Sequence, residues 1–168
     1  MEIDDNIKTS SGYTSEKDII FIQKKLDVIF PISFKTLIQK YNGAFLKKNI
    51  FFYTSQACNS DENSSVGMFL FTSLESVNFF DHILNRNKKE PEFFPEGIIS
   101  FASVGNGDLI CFDYRADPKT DNPPIVIWEH EAAGSDEAVS FIAPDFESFM
   151  NMLMSDEEAE KEYTAPQG

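Results

Sequence analysis

Histidine, cysteine and tryptophan are all scarce in this chain, at two, two and one among 168 residues. Two cysteines, Cys58 and Cys111, are too few for a disulfide framework. The two histidines, His82 and His130, form no His-x-x-x-His pair, and the sequence carries neither a Cys-x-x-Cys nor a serine elbow. No cofactor and no metal are expected, and the chain reads as a non-enzyme. Basic residues are also few. Fourteen stand against 28 acidic ones, for a net charge of −14. Such a chain repels phosphate backbones and anionic lipid, so nucleic acid and membrane are not expected as partners. No apolar run approaches the length of a membrane span. The acidic start lacks the basic-then-apolar layout of a signal peptide, and a cytoplasmic location is expected.

Phenylalanine, by contrast, is abundant: 17 residues in a chain that is 42% hydrophobic. That composition predicts one globular domain with an aromatic core. Residues 1–14 read as a loose segment, 15–154 as the domain and 155–168 as an acidic flexible tail. Ser15 followed by Asp18, then Ile19, Ile22 and Leu26, predicts a helix over Glu16–Leu26. Pro31 opens a second helix with Phe34, Leu37, Ile38 and Tyr41 on one stripe, ended by Asn42-Gly43. Strands are expected over 49–53 and 66–71, separated by a polar loop at 55–65, with a helix after Ser73. Further strands follow at 98–104, 109–114, 125–130 and 139–142, and a last helix opens at Pro144-Asp145. This order predicts an α+β fold: a mainly antiparallel sheet of about five to six strands, with the N- and C-terminal helices packed on one face.

The clearest local signal is VGNGDLICFDY, from Val104 to Tyr114. As a dinucleotide loop it fails, because Ile110 stands where the third glycine belongs and a strand follows where a helix is needed. As a hairpin it works, with Asn106-Gly107 as a two-residue turn. That turn would set Gly105 opposite Asp108, Ser103 opposite Ile110, Phe101 opposite Phe112 and Ile99 opposite Tyr114. One face then collects the large apolar side chains, as a sheet with one face on a core requires.

The remaining polar residues make weak chemistry. His82 beside Asp81 reads as a solvated surface residue. His130 lies between Glu129 and Glu131, but neighbours on a strand point to opposite faces and cannot converge on a metal. Cys111 and His130 could be drawn as a thiol and base, yet Cys111 lies mid-strand and reads as a buried thiol. Asp113, Asp117 and Asp121 are spaced by four, unlike an EF-hand loop.

Taken together, FPISFKTLIQKYNGAFL, NGDLICFDYR, PPIVIWEHE and VSFIAPDFESFMNML, in that order, resemble the SMI1/KNR4 proteins of the SUKH superfamily. Phe30 replaces a usual Leu, Ala44 replaces a second Gly, and Pro144 falls at the usual start of the last helix. The resemblance implies a domain without known catalysis. Bacterial relatives look like immunity proteins against polymorphic or contact-dependent toxins, often nucleases, and fungal ones act as regulatory scaffolds. The compact size is closer to the bacterial type. The expected partner is then a cognate toxin domain, with oligomeric state open. A basic nuclease would meet carboxylates here, and such attraction steers association. The contact surface is expected around the hairpin and the loop after it: Asp108, Asp113, Asp117, Asp121, Glu129 and Glu131. Trp128 is either an aromatic anchor of that surface or a core residue. Two other readings stand beside this one: a regulatory scaffold, and a small-ligand protein or enzyme using Cys111, Asp113 and His130.

Overall fold

A computed structural model of the protein describes residues 2–88 and 92–164. The N-terminal segment is not loose. A 3-10 turn, Ile3–Asn6, leads into β1 (Ile7–Thr9), which pairs with β2 (Phe45–Leu46). Buried Asn6 clamps Lys48 from both sides, accepting its N–H at 2.7 Å and donating to its carbonyl at 2.8 Å.

Ser15 caps α1 (Glu16–Leu26) by accepting the Asp18 N–H at 3.1 Å, on the bounds the sequence predicts. The helix α2 (Ile32–Ile38) starts after Pro31 and buries Phe34, Leu37 and Ile38. Gly43 then takes φ +61°, the left-handed region that glycine enters without strain.

Next comes a hairpin of β3 (Ile50–Ser55) and β4 (Ser60–Ser65), in register from Ile50–Ser65 to Ser55–Ser60. The expected polar loop at 55–65 is therefore partly a strand. Backbone pairing to β3 makes it one, since β4 carries no apolar residue. The expected strand at 66–71 shrinks to β5 (Met68–Phe69). The helix expected after Ser73 also breaks, into a 3-10 turn, Leu74–Ser76, and α3 (Ile83–Arg86). The cause is visible in the backbone. Phe71 bonds to the Asp81 carbonyl and to the Ile83 N–H, at 3.0 and 2.9 Å, which withdraws both groups from any helix.

The main sheet is an antiparallel meander, β5, then β6 (Ile98–Ser103), β7 (Leu109–Asp113), β8 (Ile125–Trp128) and β9 (Val139–Ala143). β3 packs beside β9. Last come α4 (Phe146–Met152) and α5 (Asp156–Thr164). Pro144 does not disturb α4, because Asp145 caps it by accepting the Ser148 N–H at 2.8 Å. The acidic tail is helical through Thr164. Ala159 is buried, and Lys48 pairs with Glu158 at 2.5 Å. Residues 165–168 of that tail lie outside the described residues.

The terminal helices do pack on one sheet face. Phe34 of α2 meets five rings: Phe30, Phe69, Phe101, Phe112 and Phe146, with centroids 5.1 to 6.4 Å away. Phe101 and Phe112 stack beneath it at 4.2 Å. The opposite face is apolar too. Ile98, Leu109, Cys111, Val126 and Val139 form a second small core under Phe94, with Trp128 at its margin.

The hairpin exists, but in another register. Ser103 pairs with Leu109 and Ala102 with Ile110. A bulge at Phe101 then sets Ser100 opposite Cys111, Ile99 opposite Phe112 and Ile98 opposite Asp113. The loop has three residues, 105–107, closed by Val104 N–H to the Asp108 carbonyl at 3.0 Å, with Gly107 at φ +103°. Asn106 has no positive φ, so it is not half of a two-residue type I′ turn. Its side chain accepts the Asp108 N–H at 3.0 Å.

Candidate partner-binding surface

Asp108 closes the β6–β7 loop, and its carboxylate is nearly buried. One oxygen accepts both the backbone N–H and the Nδ1–H of His130, at 2.9 and 2.6 Å; the other accepts from Asn106 at 3.1 Å. Glu129, at the end of β8, accepts from Ser55 Oγ at 2.7 Å and Ser140 Oγ at 3.4 Å. It thereby ties the β3–β4 hairpin to the main sheet. Burial, reinforced by the Glu129 and Asp108 carboxylates, holds the Tyr53 phenol well above its ordinary range. Glu131 is exposed on the 3-10 turn that follows. Trp128 is half-buried. Its indole N–H donates to the Phe93 carbonyl at 3.2 Å and its ring lies 5.1 Å from Phe94. With Arg86, Leu109 and His130 it lines an open cleft of 410 Å³. Arg86 is engaged there, bonded to Asp81 at 2.8 Å and lying 4.2 Å over the Phe80 ring.

The other expected acids lie elsewhere. Asp113 is at the far end of β7, about 16 Å from Asp108 at the rise of a strand. Its carboxylate is held by Arg115 in a fork, at 2.9 and 3.0 Å. Asp117 is exposed and accepts the Lys119 N–H at 3.1 Å. Asp121 joins a different wall altogether. It faces a groove of 980 Å³ between the N-terminal turn, α2 and α4, together with Glu2, Asp4, Asp145 and Glu147. Ile32 contributes apolar lining there and is 69% exposed. Nothing in the sequence unites these groove residues, because they come from four separate segments. Only the absence of Ile32 from the core stripe of α2 is readable.

The seven residues expected to form one surface therefore divide between the two ends of the sheet. Asp108, Trp128, Glu129 and Glu131 gather at the hairpin loop, while Asp113, Asp117 and Asp121 lie at the opposite end.

The polar groups of the enzyme reading do not converge either. Cys111 is buried in the second core and pairs across with Val126, Asp113 is forked with Arg115, and His130 is held by Asp108. Among the described residues no group of three or more His, Cys, Asp and Glu is arranged to hold a metal ion. His82 is not a surface residue but fully buried. Its Nδ1 accepts the Leu84 N–H at 3.1 Å, so the proton sits on Nε2, which donates to the Ser73 carbonyl at 3.0 Å. It is the cap of α3, a role that the sequence pattern after Ser73 conceals.

Among the described residues no helix is long and apolar enough to cross a membrane. A comparison with curated proteins finds no match. The model of one family, SMI1 / KNR4 (SUKH-1), matches residues 13–152. Those bounds take in α1, α2, the whole meander and α4, the parts that build both cores, and the chain belongs to the SMI1 / KNR4 family (SUKH-1).

Proposed function

We propose that this chain is a non-catalytic immunity protein that binds and neutralises a cognate toxin domain by stoichiometric association. The observation that carries this reading is the family match over residues 13–152. The physics supports it. With a net charge of −14, the protein draws a basic partner in solution and speeds its encounter. A toxin that cleaves nucleic acid has a cationic substrate surface, which carboxylates can cover. Cys111, Asp113 and His130, which a catalytic pocket would have to bring together, each serve a separate structural contact. The cytoplasm is the compartment in which such a protein would meet its toxin.

The test is co-expression with candidate toxin domains, beginning with the products of the neighbouring genes. Growth should be rescued, and the two chains should co-purify in fixed ratio. Rescue without a complex would overturn the stoichiometric mechanism. Many weak partners and no rescue would favour the regulatory-scaffold reading instead.

A further inference from the structure

We infer that the groove between the N-terminal turn, α2 and α4 is where the partner docks, and that its occupant is a cationic, amphipathic segment of a protein. This inference rests on the immunity reading for the identity of the partner, but not for the chemistry of the groove. At 980 Å³ the groove is a large concavity, more than twice the 410 Å³ of the Trp128 cleft. Five carboxylates line it: Glu2, Asp4, Asp121, Asp145 and Glu147. Against them stands Lys40, held by Asp4 at 2.6 Å. Asp145 is committed to the cap of α4, which leaves Glu2, Asp121 and Glu147 exposed to a partner.

The apolar lining supplies the second half of the recognition. Ile32 is 69% exposed at the first turn of α2, beside Pro31, while Phe34 and Leu37 of the same helix are buried. An exposed aliphatic residue in a groove that carboxylates also line matches a segment with one apolar face and lysine or arginine flanks. The charge selects against an anionic or purely apolar occupant. The Trp128 cleft offers no such combination: among the described residues no carboxylate lines it, and its polar walls are Arg86 and His130.

The experiment titrates the full chain with a synthetic leucine–lysine amphipathic peptide and with a serine–lysine peptide of equal charge, followed by amide chemical-shift mapping. Shifts should centre on Ser33, Thr36, Asn122 and Glu147. The pair Asp121→Lys and Glu147→Lys should weaken binding about tenfold, and Ile32→Ser severalfold, while Asp117→Lys with Glu131→Lys changes it less than about twofold. The serine–lysine peptide should bind much more weakly. Equal weakening by both pairs of reversals, or equal binding of both peptides, would overturn the groove as a specific site. Co-expression with the toxin separates this inference from the immunity reading. Rescue by the native chain that survives the groove reversals overturns the groove alone. Groove-centred shifts without any rescue support the groove and overturn the immunity reading.

Discussion

Ile32 and Phe34 lie two residues apart on α2 and meet opposite surroundings: Phe34 is 1% exposed at the centre of the aromatic core, and Ile32 is 69% exposed above the acidic groove. The helical period separates them, since two residues turn the helix by more than half a circle. Truncation therefore discriminates between packing and surface roles. Phe34→Ala removes a ring that touches five others and should cost about 3–5 kcal/mol. Ile32→Ala should change stability by less than about 0.5 kcal/mol. Urea unfolding monitored by circular dichroism reads both, and a large loss for Ile32→Ala would remove it from the list of residues free to serve a partner.

The Asp108–His130 contact allows a ranking rather than a single number. Asp108→Ala strips the acceptor from His130 twice and from Asn106 once, and leaves the His130 backbone donor without its bond. The expected loss is about 2–3 kcal/mol. His130→Ala leaves Asp108 still accepting two of these donors, and its side chain is 39% exposed, so the loss should be nearer 1 kcal/mol. Thermal unfolding of the two variants checks the order. If His130→Ala proves the worse, the imidazole and not the carboxylate organises this loop.

What the sequence showed of this fold follows from where the physics is local. The bounds of α1 are readable because Ser15 provides a cap and Asp27 stops the helix within a single turn. The strands of the meander are readable because both faces are apolar. The same property hides the register, since a slip between two apolar faces exposes nothing and a bulge at Phe101 costs no burial. β4 is illegible because its strand character comes from the β3 backbone. His82 is illegible because its burial depends on Phe71 and Ser73 folding over it. The candidate site fares worst. Asp108 and Asp113 are close in sequence, but the length of β7 separates them. Asp121 and Glu147 are far apart in sequence and share one groove.

Gly43 illustrates a constraint set by both backbone and packing. Its φ of +61° costs any other residue about 1 kcal/mol or more. A Cβ built there would lie 2.4 Å from the Phe71 ring, so that ring would have to move. Gly43→Ala should lower stability by about 2–3 kcal/mol. In a Phe71→Leu background the steric part disappears and the same substitution should cost about 1 kcal/mol. Strict additivity of the two changes would show that the ring is not the obstacle.

His82 makes stability depend on pH in a defined direction. Burial lowers its pKa from the ordinary 6.5, outweighing the Ser73 carbonyl and the Asp18 carboxylate, which act to raise it. As the pH falls below 6.5 the unfolded chain takes up a proton on this imidazole, and the folded chain does so only at lower pH. The unfolded state then binds more protons, so stability falls as the pH drops through and below this value, and is fully present above it. Protonation would also place a proton on Nδ1, where the Leu84 N–H now donates, and so dismantle the cap of α3. His82→Gln keeps a donor and an acceptor without a titrating group. The variant should be less stable than the native chain at pH 8 but should lose less on acidification. Urea midpoints measured from pH 8 down to the onset of carboxylate titration give the comparison. Parallel pH profiles for the two proteins would mean that His82 is not the group responsible.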